Sequence, residues 1–304
     1  LTKASFYWLN RELFYNGTFM TIAIAHLGPT GTNAETVALA YAAWLFQSKR
    51  QESHLHPYPS IAQTLRAVAE QQVDIAVVPV ENSTEGSVAI TLDTFWELDR
   101  LQIQQELVLP ISNALLSRGT SLAAIKTVYS HPQALAQCQK WLEMFLPSVQ
   151  LVATNSTSEA VRQVSQDSAA GAIAAPRASQ LYNVPILAAN INDYPDNCTR
   201  FWITGLMPST KGNRTSIAFS VPANVPGALV KPLQVFANRG INLSRIESRP
   251  TKRSLGEYLF FLDLETSVQT VATQDALAEL SPYAEILKLF GSYDVLPLAT
   301  TLTP

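Results

Sequence analysis

From residue 21 onward, short apolar runs alternate with longer segments whose apolar residues recur at helical spacing. The short runs are TIAIAHLG (21–28), DIAVVPV (74–80), 102–109, KTVYS (126–130), VQLVA (149–153), AGAIAA (170–175) and FWITG (201–205). Their length and β-branched content predict strands. DIAVVPV has no polar alternation, which predicts a strand buried on both faces. The longer segments predict helices over 60–71, with Ser60 as N-cap, and over 87–98, 132–145, 156–165 and 177–182. A Gly-containing turn leads into another helix within 29–46. Regular alternation of the two predicts an α/β region with mainly parallel strands. Ligands of such folds sit at the carboxyl ends of strands, beside loops that open helices.

The pattern changes after residue 213. Strands are predicted at 214–221, 241–248, 256–264 and 285–293, and helices at 226–239 and 273–281. The order βαββαβ is the ferredoxin-like layout. The polar stretch 207–213, which carries Pro and Gly, separates the two regions. The expected organisation is an N-terminal extension (1–20), a first domain (21–208) and a second (214–304). Residues 1–20 contain no continuous apolar run and no small-residue cleavage site, so no secretory signal is expected. Met20 directly precedes the first strand, and the natural start is expected there, with 1–19 as an upstream extension.

The 304 residues suit two or three domains. A hydrophobic fraction of 47% and a net charge of −3 exclude intrinsic disorder. The basic excess of a general nucleic-acid binder is missing, and no apolar stretch is long enough to predict a membrane span. Cys138 and Cys198 form neither a disulfide framework nor a zinc site and are expected as free thiols of a cytoplasmic protein. Without a His/Cys ligand cluster or a dinucleotide Gly pattern, neither a metal nor an organic cofactor is expected. Charge is uneven: residues 21–208 carry 10 basic and 15 acidic side chains, residues 214–304 carry 8 of each. An anion bound by the first region must therefore meet very local positive potential.

Five loops offer it: Gly28–Thr32, Glu81–Ser87, Ser130–Gln133, Asn155–Ser158 and Asn197–Phe201. Ser and Thr are concentrated where helix N-termini are predicted. Free N–H groups and the dipole bind anions there without formal charge. Each loop alone reads as a helix cap or Asx-turn. Five at strand ends point to a shared anion-binding cleft.

The segments IAHLGPTGTNAE, VVPVENSTEGSV, YSHPQALAQC, NSTSEA and NCTRFWITG resemble, in order, the signature segments of the prephenate dehydratase family. NVPGALVKPLQVFANRGINLSRIESRP resembles the ACT regulatory domain that ends those enzymes. The resemblance spans about residues 21–295. One departure stands in the first loop. Asn33 and Ala34 occupy positions where the family often has an aromatic and then a Ser or Thr, so one hydroxyl contact is missing or replaced by Asn33.

The resemblance implies two α/β lobes around a cleft, like a bacterial solute-binding protein, followed by the ACT domain. It implies decarboxylating dehydration of prephenate to phenylpyruvate, with L-phenylalanine as feedback ligand. Thr199 would donate toward the leaving hydroxyl and Arg200 would clamp a carboxylate bidentately. Thr32, Asn82, Ser83, Ser130, Gln133, Ser156, Thr157 and Phe201 would contact substrate. Glu81 would orient Arg200 or a loop N–H, and His131 would be a neutral hydrogen-bonded strut. Asn224, Gly227, Ala228, Leu229, Glu247, Ser248, Arg249 and Pro250 would bind phenylalanine, inside a basic cluster with Arg239, Arg245, Lys252 and Arg253. A homodimer or homotetramer is implied. The helical chorismate mutase module of fused enzymes is not expected, since 20 residues before the first strand are too few. Arogenate dehydratase and a non-catalytic amino-acid sensor remain as alternatives.

Overall fold

The computed structural model describes residues 21–296; the proposed start at Met20 and the extension before it lie outside them. The first lobe opens with β1 (Ile22–Leu27), α1 (Asn33–Lys49), β2 (Ser53–Tyr58), α2 (Ile61–Ala69), β3 (Ile75–Asn82), a short β4 (Gly86–Ser87), α3 (Ala89–Glu97) and β5 (Gln102–Pro110). The chain then enters a second lobe of β6 (Ala114–Ser117), β7 (Thr127–Ser130), α4 (Pro132–Ala136), α5 (Gln139–Phe145), β8 (Gln150–Ala153), α6 (Thr157–Gln163), β9 (Ala170–Ala174), α7 (Arg177–Tyr182) and β10 (Ile186–Ala188). It returns through β11 (Cys198–Gly205) into the middle of the first sheet, whose order is β16-β5-β11-β3-β1-β2 with β4 on β3, β16 being the late strand Val295–Leu296. The second sheet has the order β10-β6-β9-β7-β8. Two passages between lobes thus leave a cleft between two sheets.

Local chemistry explains most element ends. Ser60 caps α2 by accepting from Gln63 N–H, Ser156 caps α6 through Glu159 N–H, and Thr32 caps α1 through Glu35 N–H. The helix expected over 132–145 is two helices, broken at Gln137 and Cys138. Three strands of more than two residues were not expected from the sequence pattern. Of these, β2 (SHLHPY) is an edge strand with polar alternation and a proline, a composition tolerated only at an edge. The other two, β6 and β10, are only four and three residues long. The sheets are also more mixed than expected: β11 runs antiparallel to both β3 and β5, and β6 antiparallel to β9 and β10. A strand that returns from another lobe is not bound by the right-handed crossover that makes neighbouring βαβ strands parallel.

The third unit comprises β12 (Arg214–Ser220), α8 (Val230–Ala237), β13 (Leu243–Pro250), β14 (Tyr258–Leu264), α9 (Val271–Leu280) and β15 (Ile286–Tyr293), in the sheet order β13-β14-β12-β15. Helices α8 and α9 cover one face through Phe219, Val235, Phe236, Leu262 and Leu280. The other face packs on the first lobe, where Phe261, Phe290 and Tyr293 share a core with Phe95 and Trp202. Phe95 meets Phe290 edge-on at 5.4 Å between ring centroids. Beyond β15 the chain rejoins the first lobe: β16 (Val295–Leu296) pairs with β5. This pairing ties the third unit back to the first. In the connection between units, Gly212 has φ +133°, and a Cβ there would lie 2.1 Å from the Tyr293 carbonyl carbon, so only glycine fits.

Candidate active site

All five loops singled out by composition reach one cleft between the lobes, of about 980 Å³. Thr32, Asn33 and Ala34 come from the start of α1, Asn82 from the end of β3, His131 and Gln133 from the start of α4, Asn155 to Thr157 from the start of α6, and Thr199 and Phe201 from β11. The first N–H groups of α1, at Asn33 and Ala34, have no partner within the helix, and both residues line the cleft. Thr32 spends its hydroxyl locally, donating to Leu27 O and accepting from Glu35 N–H. It shapes the helix start and leaves the backbone to face a ligand. His131 Nδ1 accepts from Gln133 N–H at 3.3 Å and so caps the start of α4.

Thr199 is the best-defined group. Asn82 Oδ1 accepts from the backbone N–H groups of Thr84 and Glu85 at 3.0 and 3.1 Å, which fixes the orientation of the amide. Its Nδ2 therefore donates, to Asn197 Oδ1 at 2.8 Å and to Thr199 Oγ1 at 2.9 Å. An amide NH₂ can only donate. Thr199 Oγ1 is thus an acceptor toward Asn82, and its own proton is left to face the cleft.

Arg200 is elsewhere. Sequence reasoning placed it in a loop, but β11 begins at Cys198, so Thr199 and Arg200 point to opposite faces. The Arg200 guanidinium lies behind the sheet. It donates from Nη1 to Glu81 at 2.6 Å, from Nε and Nη2 to Glu106 at 3.0 and 2.6 Å, and from Nη2 to Asp263 of β14 at 2.8 Å. It does not line the cleft, so the carboxylate-clamp expectation is corrected. Burial opposes its charge, but hydrogen bonding to Glu106 and the charge of Asp263 more than offset this and raise its pKa. The expected Glu81–Arg200 pair is present.

Two further expected contacts are corrected. Ser130 is fully buried and donates to Ile173 O at 2.6 Å, tying β7 to β9. Ser83 accepts from Cys198 N–H at 2.9 Å and donates to Asn197 Oδ1, holding loop to loop outside the cleft lining. Among the polar lining residues, Asn113, Gln137, Glu159, Arg162 and Gln163 were not expected. Gln137 and Asn113 occupy the hinge side, 3.4 Å apart. Arg162 lies over the Tyr182 ring at 5.9 Å and lines the cleft. It makes no ion pair among the described residues, which leaves a full positive charge on the cleft wall. Its place in an ordinary helical stretch gave no sequence signal.

The lobes also touch directly. Arg177 of α7 pairs with Glu35 of α1 at 2.6 Å, and Tyr182 donates to Thr30 O at 3.0 Å.

In the third unit, Asn224 lines a cavity of about 240 Å³ together with Arg253, Ser254, Gly256, Glu257, Tyr258 and Glu285. Gly227 to Leu229 form the turn before α8 and, like Glu247 to Pro250, do not line it. On β13, Glu247 and Arg249 turn toward the first lobe. Glu247 accepts from the Ser87 hydroxyl at 3.2 Å, and Arg249 donates to Asp93 at 3.0 Å. Ser248 and Pro250 alternate onto the opposite side. Every member of the basic cluster has a carboxylate partner: Arg239 has Glu279, Arg245 has Asp263, Arg249 and Lys252 share Asp93, and Arg253 has Glu257 and Glu285.

The prephenate dehydratase family model matches residues 24–208, and the ACT domain model matches residues 215–281. A bifunctional chorismate mutase/prephenate dehydratase of Aquifex aeolicus is 42% identical over 274 residues, 90% of this chain and 73% of that protein. A prephenate dehydratase of Lactococcus lactis subsp. cremoris is 38% identical over 284 residues, 90% of this chain and 98% of that one. The crystal structure of prephenate dehydratase from Arthrobacter aurescens in complex with L-Phe superposes with a TM-score of 0.78 at 34% identity, covering 90% of each chain. With a family match across more than half of its length and relatives aligned over most of theirs, this chain belongs to the prephenate dehydratase family, with a C-terminal ACT domain.

Proposed function

We propose that the chain converts prephenate to phenylpyruvate, and that the interlobe cleft is where it does so. The observation that carries this reading is the Thr199 hydroxyl, which accepts from Asn82 and keeps its proton for the cleft. The driving force of the reaction is in the substrate. The bond from the ring to its carboxylate breaks and releases CO₂. That electron pair enters the ring, and the ring hydroxyl departs as hydroxide, which becomes water on gaining a proton. The ring is then aromatic. The protein must hold a dianion and ease departure of the hydroxyl. Thr199 supplies a donor aimed at the departing oxygen, where negative charge grows in the transition state. An alcohol is a weak acid, so Thr199 acts as hydrogen-bond donor or relay.

Binding of the dianion falls to the free N–H groups at the start of α1, to the Arg162 guanidinium and to the amides of Asn113, Gln133 and Gln137. Phe201, packed beneath the cleft with Val77 and Ile203, gives an apolar floor for the ring. L-Phenylalanine, with which the Arthrobacter aurescens prephenate dehydratase forms a complex, is proposed here as the ligand of the ACT domain, with two such domains meeting in a dimer or larger oligomer. The free thiols Cys138 and Cys198 suit a reducing cytoplasm. Parallel assays on prephenate and arogenate test the activity: turnover of prephenate is expected, and none would overturn this reading. Phenylalanine at saturation is expected to alter both turnover and melting temperature; no change in either would remove the regulatory half.

A further inference from the structure

Arg200 and Thr199 are neighbours in sequence but work on opposite faces of one strand. In the pairing of β11 with β3, Thr199 faces Asn82 and Arg200 faces Glu81. The hydrogen bond between Asn82 and Thr199 on the cleft side is therefore backed by the ion pair between Glu81 and Arg200 on the other side. The strand pairing slips by one residue immediately after Arg200. At such a bulge the strand bends, and the direction of nearby side chains depends on what holds them. Arg200 is held from three strands: by Glu81 on β3, by both oxygens of Glu106 on β5, and by Asp263 on β14. Asp263 belongs to the ACT sheet. It is fully buried and is itself fixed by Arg245 at 2.8 Å and by the Ser216 hydroxyl at 2.6 Å.

We propose that Arg200 is a positioning residue: anchored to Asp263 of the ACT sheet, it sets the direction in which the neighbouring Thr199 hydroxyl presents its proton to the cleft. The inference rests on the dehydratase reading. A guanidinium is suited to the task, because its planar fork fixes angles as well as distances and engages three carboxylates at once. An ammonium in its place would neutralise charge without fixing direction. The network also gives the ACT sheet a rigid route to the catalytic hydroxyl. A displacement of β14 relative to the first sheet acts on Arg200 directly, and Arg200 is bonded through the main chain to Thr199.

The test is steady-state kinetics on prephenate with the full-length chain and its Arg200→Lys, Asp263→Asn, Thr199→Ala and Asp263→Asn/Thr199→Ala variants. A group that touches substrate alters KM, whereas one that aims a transition-state donor alters kcat. Arg200→Lys and Asp263→Asn are each expected to lower kcat about tenfold and to leave KM within about twofold. In the Thr199→Ala background, Asp263→Asn is expected to cost nothing further, because the donor it aims is gone. A raised KM at unchanged kcat would overturn the proposal and return Arg200 to substrate binding. Losses that multiply in the double variant would overturn it in favour of general destabilisation. If Asp263→Asn does not fold, Ser216→Ala, which removes one hydrogen bond to the same carboxylate, is judged by the same two criteria. A wild-type chain without prephenate turnover would instead sink the dehydratase reading, and this inference with it.

Discussion

The amide nitrogen of Asn82 lies 2.9 Å from the hydroxyl of Thr199, and that contact decides which way the hydroxyl can donate. Two backbone N–H groups hold the amide oxygen, so the amide cannot turn round without losing both. Asn82→Asp keeps the oxygen that Thr84 and Glu85 require but replaces the donor by an acceptor. The Thr199 proton would then turn toward the carboxylate. The expected result is a fall in kcat of about 10²–10³, the loss typical of a missing transition-state donor, with the fold intact by circular dichroism. Turnover near wild type would show that the orientation of Thr199 does not matter.

In the proposed function, Arg162 takes the carboxylate-binding part that the sequence reading gave to Arg200. It is a guanidinium on the cleft wall without an ion-pair partner among the described residues. Hydrogen bonds to a charged group contribute roughly 1.5–3 kcal/mol, so Arg162→Gln is expected to raise the KM for prephenate by about tenfold or more. The effect should shrink as salt is added, because the site is open to solvent. An unchanged KM at low salt would exclude Arg162 from binding.

Asp263 makes stability depend on acid. Burial alone would push its carboxyl up, but Arg245 and Arg200 beside it hold it well below the usual carboxylate range. In the unfolded chain it titrates near the ordinary value of about 3.9. A depressed folded-state value means the stabilisation is present above about pH 4 and is lost as the pH falls through the folded-state value. In urea unfolding from about pH 6 down to about pH 2, the wild type is expected to lose more stability below pH ~4 than Asp263→Asn does. Equal losses would assign the acid sensitivity to other carboxylates.

Gly31 sits where the two lobes meet. Its φ is +92°, and a Cβ there would sit 2.8 Å from the Ser158 hydroxyl oxygen on the second lobe. Gly31→Ala is expected to destabilise the chain by about 1–3 kcal/mol through backbone strain and that contact together. Adding Ser158→Ala should restore only the contact part. Full recovery in the double variant, measured by denaturant unfolding, would mean that the backbone angle costs nothing.

How far the sequence could be read follows from how each feature is encoded. The strand DIAVVPV and the cap at Ser60 were legible because burial on both faces and a capped helix start are written in consecutive residues. The same is true of the five loops, since hydroxyl-rich helix starts are local. β2 was illegible because its strand character comes from pairing with β1, and its own residues read as a polar turn. Gln137 and Asn113 were missed because they meet across 24 positions of chain, at a helix break and a lobe crossing that no short window contains.

Arg200 is the clearest case of a residue recognised but misplaced. Its motif identified the family, and its charge in an acidic region suggested an anion clamp. The sequence by itself determined the alternating α/β lobes, the βαββαβ unit after them and the hydroxyl-bearing loops, because periodicity and capping act over a few neighbouring residues. Only the tertiary structure decided which face of β11 each side chain occupies, since a one-residue difference in where a strand starts reverses every direction along it. It also decided that Glu81, Glu106 and Asp263, from three separate strands, surround one guanidinium. Those contacts join residues more than 60 positions apart, and the free energy that pairs them arises only once burial has removed water from around all of them.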